Sequence, residues 1–406
     1  MTAPDTSAVA QYRTWQRDTV RVGSRSVRVA TKPGVVAHGT EDIASRLLAE
    51  HAVVRAGDRV AHLNCGTGLF GAHASHIAKH VVLTDRNWLS YEAASRTVEE
   101  NECTNTSVSL LQGLQRAREI EHGSLDVVGI RIPQDRLSQL QLLLDAFRAL
   151  RAGGACYIAG AVNEGIKPAT RALAALFGNA VVLATGGGER VVRATRAIDE
   201  QAADTVARGG EFANPLLASD AFHESPVTLR GRNLSLQTRP GVFSWEHLDE
   251  ATGILADTMQ GAAGDRVLDL GCGCGALGTV AASVWGASVC MVDADSEAVR
   301  CALRTASMAG VTTVRALASD VALAVTEERF DVVVSNPPFH VGKSTNLDVP
   351  MQFIEQAWSV LEPGGRLQLV ANRTLPYERA MTERFGNLAT LHDGARFKVL
   401  QAIRKA

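Results

Sequence analysis

Short runs of aliphatic and β-branched residues alternate along this chain with stretches that read as helices. In the second half, strands are expected near 266–270, 288–293, 312–316, 330–335 and 366–371. Helices of roughly 10 to 15 residues fill the gaps, for example Ser296 to Met308 and Met351 to Leu361. That alternation predicts βαβ units and a parallel sheet. The closing stretch "LATLHDGARFKVLQAI" (388–403) reads as two strands around an Asp393-Gly394 turn, and Asp-Gly between strand patterns is a strong hairpin signal. The expected shape is a parallel sheet closed by an antiparallel hairpin.

The first half carries the same pattern. "VRVGSRSVRVATKPGV" (20–35) lies over "VTLRGRNLSLQTRPGV" (227–242), and "AGDRVAHLNCGTGLFG" (56–71) lies at the same offset over "AGDRVLDLGCGCGALG" (263–278). Further on, "VVLTDRN" (81–87) matches "VCMVDAD" (289–295), "LDVVGIRIPQ" (125–134) matches "FDVVVSNPPF" (330–339), and "LRAGGACYIAG" (150–160) matches "LEPGGRLQLVA" (361–371). Matching blocks in one order argue for an internal duplication. Residues 196–226 lack clear periodicity and are expected to be the linker between a first domain, 1–195, and a second, 227–406.

Composition narrows the class. At 406 residues the chain exceeds one ordinary core. With 46% hydrophobic and 21% charged residues it is globular rather than disordered. A formal net charge of −2 announces no global field for nucleic acid. The opening "MTAPDTSAVAQYR" lacks the apolar segment of a signal peptide, and the longest apolar region, Val267 to Val292, is broken by Asp269 and glycines. Seven cysteines, an odd number, read as reduced thiols of a cytoplasmic protein. Cys272 and Cys274 form a CxC with no second ligand pair nearby, so no metal is expected.

Candidate chemistry gathers at the carboxyl ends of the second copy's strands, where ligands bind in open α/β sheets. Pro337 and Pro338 have no N–H for a ladder, so the strand "VVVS" must stop and leave Asn336 at its end with Phe339 just beyond. After the first strand comes Asp269 and then a loop holding Gly271, Gly273 and Gly275. Gly273, Gly275 and Gly278 also satisfy G-x-G-x-x-G, with Asp293 following, so the loop alone would suit a dinucleotide. Asp269 favours another ligand, because a carboxylate repels a pyrophosphate and attracts an ammonium or sulfonium. Asp293 is placed for two ribose hydroxyls, and Asp320 for an adenine amino group. S-adenosylmethionine combines all of these features. The Asn336 side-chain oxygen and the Pro337 carbonyl can each accept an N–H from an exocyclic amine, with Phe339 as a stacking face. Such a pair turns the nitrogen lone pair towards an electrophile by positioning rather than by strong base catalysis.

On "PGVFSWEHLD" (240–249), "VLDLGCGCGALG" (267–278), "SNPPFHVG" (335–342), "LQLVANRTLPYERAMTERFGN" (367–387) and "FKVLQA" (397–402), the second copy resembles a class I S-adenosylmethionine-dependent methyltransferase. More narrowly, it is similar to the bacterial tandem-domain ribosomal RNA guanine-N2 methyltransferases. The resemblance implies two Rossmann-like α/β domains in tandem, each a mostly parallel sheet closed by an antiparallel strand, the first degenerate. It also implies methyl transfer to the N2 amino group of a guanine in ribosomal RNA, in a ribosomal subunit of either size. The Asn-Pro-Pro motif alone is shared with methyltransferases of adenine and of protein glutamine, so a protein, adenine or small-molecule amine stays open as substrate.

The first copy has His62 where the second has Asp269, Asn64 for Gly271, Arg131 for Asn336 and Gln134 for Phe339, while Pro133 and Asp85 persist. It is expected neither to bind the cofactor well nor to catalyse. It would dock RNA, shield the second domain, or only stabilise it. Arg13, Arg17, Arg21, Arg25, Arg28 and Lys32, with Tyr12 and Trp15 interleaved, form a candidate RNA surface that could equally be solvated hairpin. Arg230, Arg232 and Arg239 repeat it weakly, and His340 and Lys343, beside Asn336, are better placed to meet a phosphate or substrate. A monomer is the expected oligomeric state.

Overall fold

A computed structural model of the chain describes residues 12–117, 120–197, 205–206, 208–338 and 348–405. It divides into two compact units, one of residues 15–221 and the other of the N-terminal segment through Thr14 together with Phe222 onwards.

The first unit opens with a hairpin, β1 (Gln16–Val22) and β2 (Arg25–Thr31). A seven-stranded sheet follows, built from β3 (Arg59–Leu63), β4 (His80–Asp85), β5 (Thr106–Leu110), β6 (Leu125–Arg131), β7 (Leu150–Ala161), β8 (Val181–Gly186) and β9 (Glu189–Thr195) in the order β5-β4-β3-β6-β7-β9-β8. The second unit repeats this with the hairpin β10 (His223–Leu229) and β11 (Arg232–Thr238). Its sheet comprises β12 (Arg266–Leu270), β13 (Ser288–Asp293), β14 (Val314–Ala318), β15 (Phe330–Ser335), β16 (Leu361–Asn372), β17 (Ala389–Asp393) and β18 (Phe397–Ile403), ordered β14-β13-β12-β15-β16-β18-β17. In both sheets the first five strands are parallel and the last two close it antiparallel. The strand order reverses beside β12, between β13 and β15. There the chain ends of β12 and β15 open a crevice.

Burial explains the continuous apolar runs. Val332, Val333 and Val334 are wholly buried and contribute alternately to the cores on the two faces of the sheet, as strands covered on both sides require. Two elements differ from expectation. The third strand of the second sheet starts at Val314, not residue 312. Val311 is used to close the preceding helix, its N–H returning to the Ala306 carbonyl at 3.0 Å, so its β-branched character does not start a ladder. β16 begins at Leu361, before Pro363-Gly364-Gly365, because Leu361 still pairs with Phe330 across a register shift. Residues 210–217, within the expected linker, form two 3₁₀ turns whose Phe212 and Leu217 are buried in the first unit's core.

Candidate functional site

Asp269 sits on β12, flanked by Met291 of β13 and Val334 of β15. Its side chain is wholly buried. One carboxylate oxygen, Oδ2, accepts the Gly278 N–H at 2.8 Å, while Oδ1 has no partner among the described residues. Burial pushes this carboxyl up to about 7; Asp293 adds to the rise and the Gly278 N–H opposes it. A buried carboxylate lacking a partner fits a site built to receive a cation.

The glycine loop wraps around the same point. Gly275, at φ 78°, precedes the helix Ala276–Trp285, and a Cβ there would stand 2.8 Å from Ala302. At Gly271, φ 76°, a Cβ would meet the Phe353 ring at 2.9 Å. Both positions therefore need glycine. The loop is tied to Asp293: its Oδ2 accepts the Gly273 N–H and its Oδ1 the Asp295 N–H, each at 2.9 Å. A third acid, Asp320, is buried just beyond β14, where the Ser319 N–H bonds the Asp293 carbonyl at 2.9 Å. Asp269, Asp293 and Asp320 thus follow three adjacent strands around one end of the sheet.

Asn336 follows β15, with Ser335 Oγ donating to the Leu270 carbonyl at 2.7 Å. Its amide nitrogen donates to Asp249 Oδ2 at 3.0 Å and to Thr252 Oγ at 2.8 Å. A carboxylate can only accept here, which fixes the amide orientation. Asn336 Oδ1 is left buried without a partner among the described residues. Pro337 is buried. Phe339, His340 and Lys343 lie outside the described residues, so the geometry bears only on the Asn336 end of that motif.

The residues that aim Asn336 were not singled out from the sequence. Asp249 caps the helix Glu250–Thr258, accepting the Thr252 N–H at 2.9 Å. An acid followed three positions later by threonine ahead of a helix was a legible capping signal, but nothing local ties it to Asn336. Phe243 is a second omission. It is 63% exposed and lines one cavity with Asp249, Thr252, Gly271, Gly273 and Asn336.

The methyltransferase small domain model matches residues 26–193 and again 233–401. The chain belongs to this family. Both copies of the duplication are therefore methyltransferase small domains in origin. Ribosomal RNA small subunit methyltransferase C of Hahella chejuensis is 42% identical over 172 residues, 42% of this chain and 50% of that protein. The protein of the same name from Chromohalobacter salexigens is 42% identical over 175 residues, 42% of this chain and 52% of its own. The chain thus spans about half the length of these curated relatives. Among solved structures, the T. thermophilus 16S rRNA N2 methyltransferase in complex with AdoMet and guanosine matches with a TM-score of 0.80 at 30% identity, over 97% of this chain and 99% of that one.

The first copy of the small domain keeps the scaffold and fills the site. Asp85 holds its loop as Asp293 does, accepting the Gly66 and Asn87 N–H groups at 2.9 Å. His62 takes the place of Asp269, accepting the Gly71 N–H on Nδ1 at 3.2 Å. Burial lowers its imidazole to about 3, against a small opposing pull from Asp42, so it is neutral. Arg131 occupies the Asn336 position. Its Nε reaches Asp42, the counterpart of Asp249, at 3.2 Å and its Nη2 reaches Glu164 at 3.1 Å. Gln112, at the position of Asp320, accepts from Arg86 Nη1 at 2.7 Å.

The basic hairpin is less available than its sequence implied. Tyr12 is 1% exposed and Lys32 2%. Lys32 and Arg96 both stack on the half-buried Trp15 ring, and Arg17 pairs with Glu100 at 2.7 Å. In the second hairpin Arg239 is fully buried against Glu297 at 2.6 Å. The Lys32, Arg17 and Arg239 contacts hold the hairpins onto their own units, and burial removes Tyr12, Lys32 and Arg239 from any RNA-facing surface. Among the described residues, no helix is long and apolar enough to cross a membrane, and no group of three or more histidines, cysteines or acids could hold a metal.

Proposed function

We propose that the second domain transfers a methyl group from S-adenosylmethionine to the exocyclic N2 amino group of a guanine in ribosomal RNA, and that the first domain does not catalyse. The observation that carries this reading is the pair of buried, unpartnered acceptors at neighbouring strand ends, Asp269 Oδ1 and Asn336 Oδ1. The cofactor, when bound, supplies a methyl group on a sulfonium that a neutral amine can attack. Asp269 fits its cationic amino-acid end, Asp293 its ribose hydroxyls, and Asp320 its adenine amino group, with Gly271, Gly273 and Gly275 admitting the ligand close to backbone.

Asn336 Oδ1 and the Pro337 carbonyl would each accept one N–H of the substrate amine and direct its lone pair. Asp249 and Thr252 hold the amide in that orientation, so the acceptor is set before substrate arrives. Phe243 offers a face to the planar base at the same cavity, and Phe339, His340 and Lys343 are expected to complete the substrate side. Guanine N2 lies on the minor-groove edge of a paired base, so the target would be unpaired or flipped. Ribosomal RNA as substrate puts the enzyme in the cytoplasm, and a monomer suffices because the site is assembled from one chain.

The reading is tested by transferring labelled methyl from S-adenosylmethionine to total RNA and to separated ribosomal subunits from a strain lacking this protein, followed by nucleoside analysis. Labelled N2-methylguanosine is expected, and the particle that carries it names the subunit. Cofactor-binding protein that labels no RNA would overturn the substrate and leave a protein glutamine, an adenine or a small amine.

A further inference from the structure

Each unit is completed by a segment that precedes a hairpin in the sequence. Residues 12–14 group with the catalytic domain, and residues 208–221 group with the first domain. In the first domain the segment contributes Phe212 and Leu217 to the core. It is fastened through Gln115, which donates to the Leu217 carbonyl at 2.9 Å and accepts the Ser219 N–H at 2.8 Å. In the catalytic domain the corresponding contribution is Tyr12. Its ring is buried in a cluster with Val321, Val325 and Phe353, and its hydroxyl donates to Asp320 Oδ1 at 2.5 Å.

This bond ends on an acid of the candidate cofactor site, not on a structural carbonyl. Burial first, and then the Asp320 charge, drive the Tyr12 phenol far above its ordinary range, so it stays protonated and remains a donor. The matching position of the first domain is Gln112, whose amide engages Arg86 and Gln141 at 2.7 and 3.0 Å. The first domain therefore lacks both the acid and the phenol. Among the described residues, the tyrosine contact occurs in the copy that retains the acid. A contact serving only to anchor the segment would need no carboxylate, as the Gln115 fastening demonstrates.

We propose that Tyr12 is a positioning residue for the adenine end of the cofactor site: its phenol fixes the Asp320 carboxylate in the orientation that accepts the adenine amino group. The proposal rests on the assignment of Asp320 under the proposed function. A segment at the start of the chain, before the degenerate domain begins, thereby contributes to ligand choice in the catalytic domain.

The test compares S-adenosylhomocysteine with its inosine counterpart, which carries a carbonyl where adenine has the amino group, by calorimetry on the full-length chain and on Tyr12→Phe. Wild type is expected to prefer the adenine ligand. Tyr12→Phe keeps the buried ring and should weaken that ligand by about tenfold, the order for a lost bond to a charged group acting at one remove, while leaving the inosine ligand unchanged. Equal weakening of both ligands would mean a packing role, and tighter adenine binding would mean that Tyr12 obstructs the seat; either overturns the proposal, as does unchanged binding. If wild type binds neither ligand, the cofactor reading itself fails and takes this one with it. Circular dichroism and Tm of the variant separate these outcomes from loss of fold, since a misfolded Tyr12→Phe would be replaced by Asp320→Asn, for which the same collapse of preference is expected.

Discussion

The two domains share strand order, hairpin, glycine loop and the loop-tying aspartate, yet only one keeps an empty pair of acceptors. The difference lies in how buried polar groups are satisfied. In the second domain Asp269 and Asn336 each have an oxygen with no protein partner among the described residues. In the first, the same two strand ends carry a neutral histidine and an arginine whose charge is taken up by Asp42 and Glu164. At the Asn336 position the first domain has replaced an open valence with two internal ion pairs, while its buried His62 Nε2 keeps no partner among the described residues. An enzyme site keeps such valences unsatisfied for a ligand, at a cost to its own stability.

The largest effect should come from opening the closed site. Arg131 is 11% exposed at the side chain and faces two carboxylates; burial alone would lower its pKa, but Asp42 and Glu164 raise it overall. Arg131→Ala leaves both acids without their partner, which costs about 3–5 kcal/mol when a buried pair is broken from one side. Denaturant unfolding followed by hydrogen exchange should place the loss in residues 15–221. A loss below 1 kcal/mol would mean that this network does not replace the missing ligand.

The open site should fail differently. Asn336→Ala is expected to lower kcat by about 10²–10³, the range for a single preorganised polar group at a reacting centre, with cofactor affinity almost unchanged. Asp249→Asn keeps the helix cap residue class but lets the facing amides choose their orientation, and about 10-fold to 100-fold of kcat should be lost. Single-turnover methyl transfer and calorimetric cofactor binding separate the two quantities. Near-wild-type turnover of Asn336→Ala would remove the amine-acceptor role altogether.

What could be read in advance was whatever is contiguous. The duplication, the strand ends at Asp269 and Asn336, and the closing hairpin are each carried by a few neighbouring residues, and turn and strand chemistry acts at that range. Asp249 is 87 positions from the asparagine it aims, and Tyr12 is 308 positions from Asp320. No local pattern encodes such a pairing. The basic hairpin misled for a related reason: counting arginines and lysines ignores where the chain turns after a strand, and Lys32 and Arg239, each one residue beyond its strand, are buried against Trp15 and Phe222. Phe243 was missed because an aromatic in a loop carries no period to mark it.

A pH series sharpens the comparison most, because the two domains should respond to pH with opposite signs. Burial raises Asp269 from 3.8 to about 7, so the folded second domain holds a proton that the unfolded chain releases. Its stability without ligand should therefore decline as pH rises from about 4 to about 7 and level off above. His62 is lowered from 6.5 to about 3, so the folded first domain binds fewer protons than the unfolded chain. Its contribution is fully present above about pH 6.5 and is lost as pH falls towards about 3. A bound cation would favour the ionised Asp269, so cofactor affinity should run against apo stability, strongest above pH 7 and weakening by at most about tenfold per pH unit below it. Hydrogen exchange corrected for its intrinsic rate, read separately in residues 15–221 and 222–405 across this range, measures both slopes in one experiment. Asp269→Asn should flatten the second and leave the first intact. Parallel slopes in the two regions would mean that the paired strand ends do not govern the difference between them.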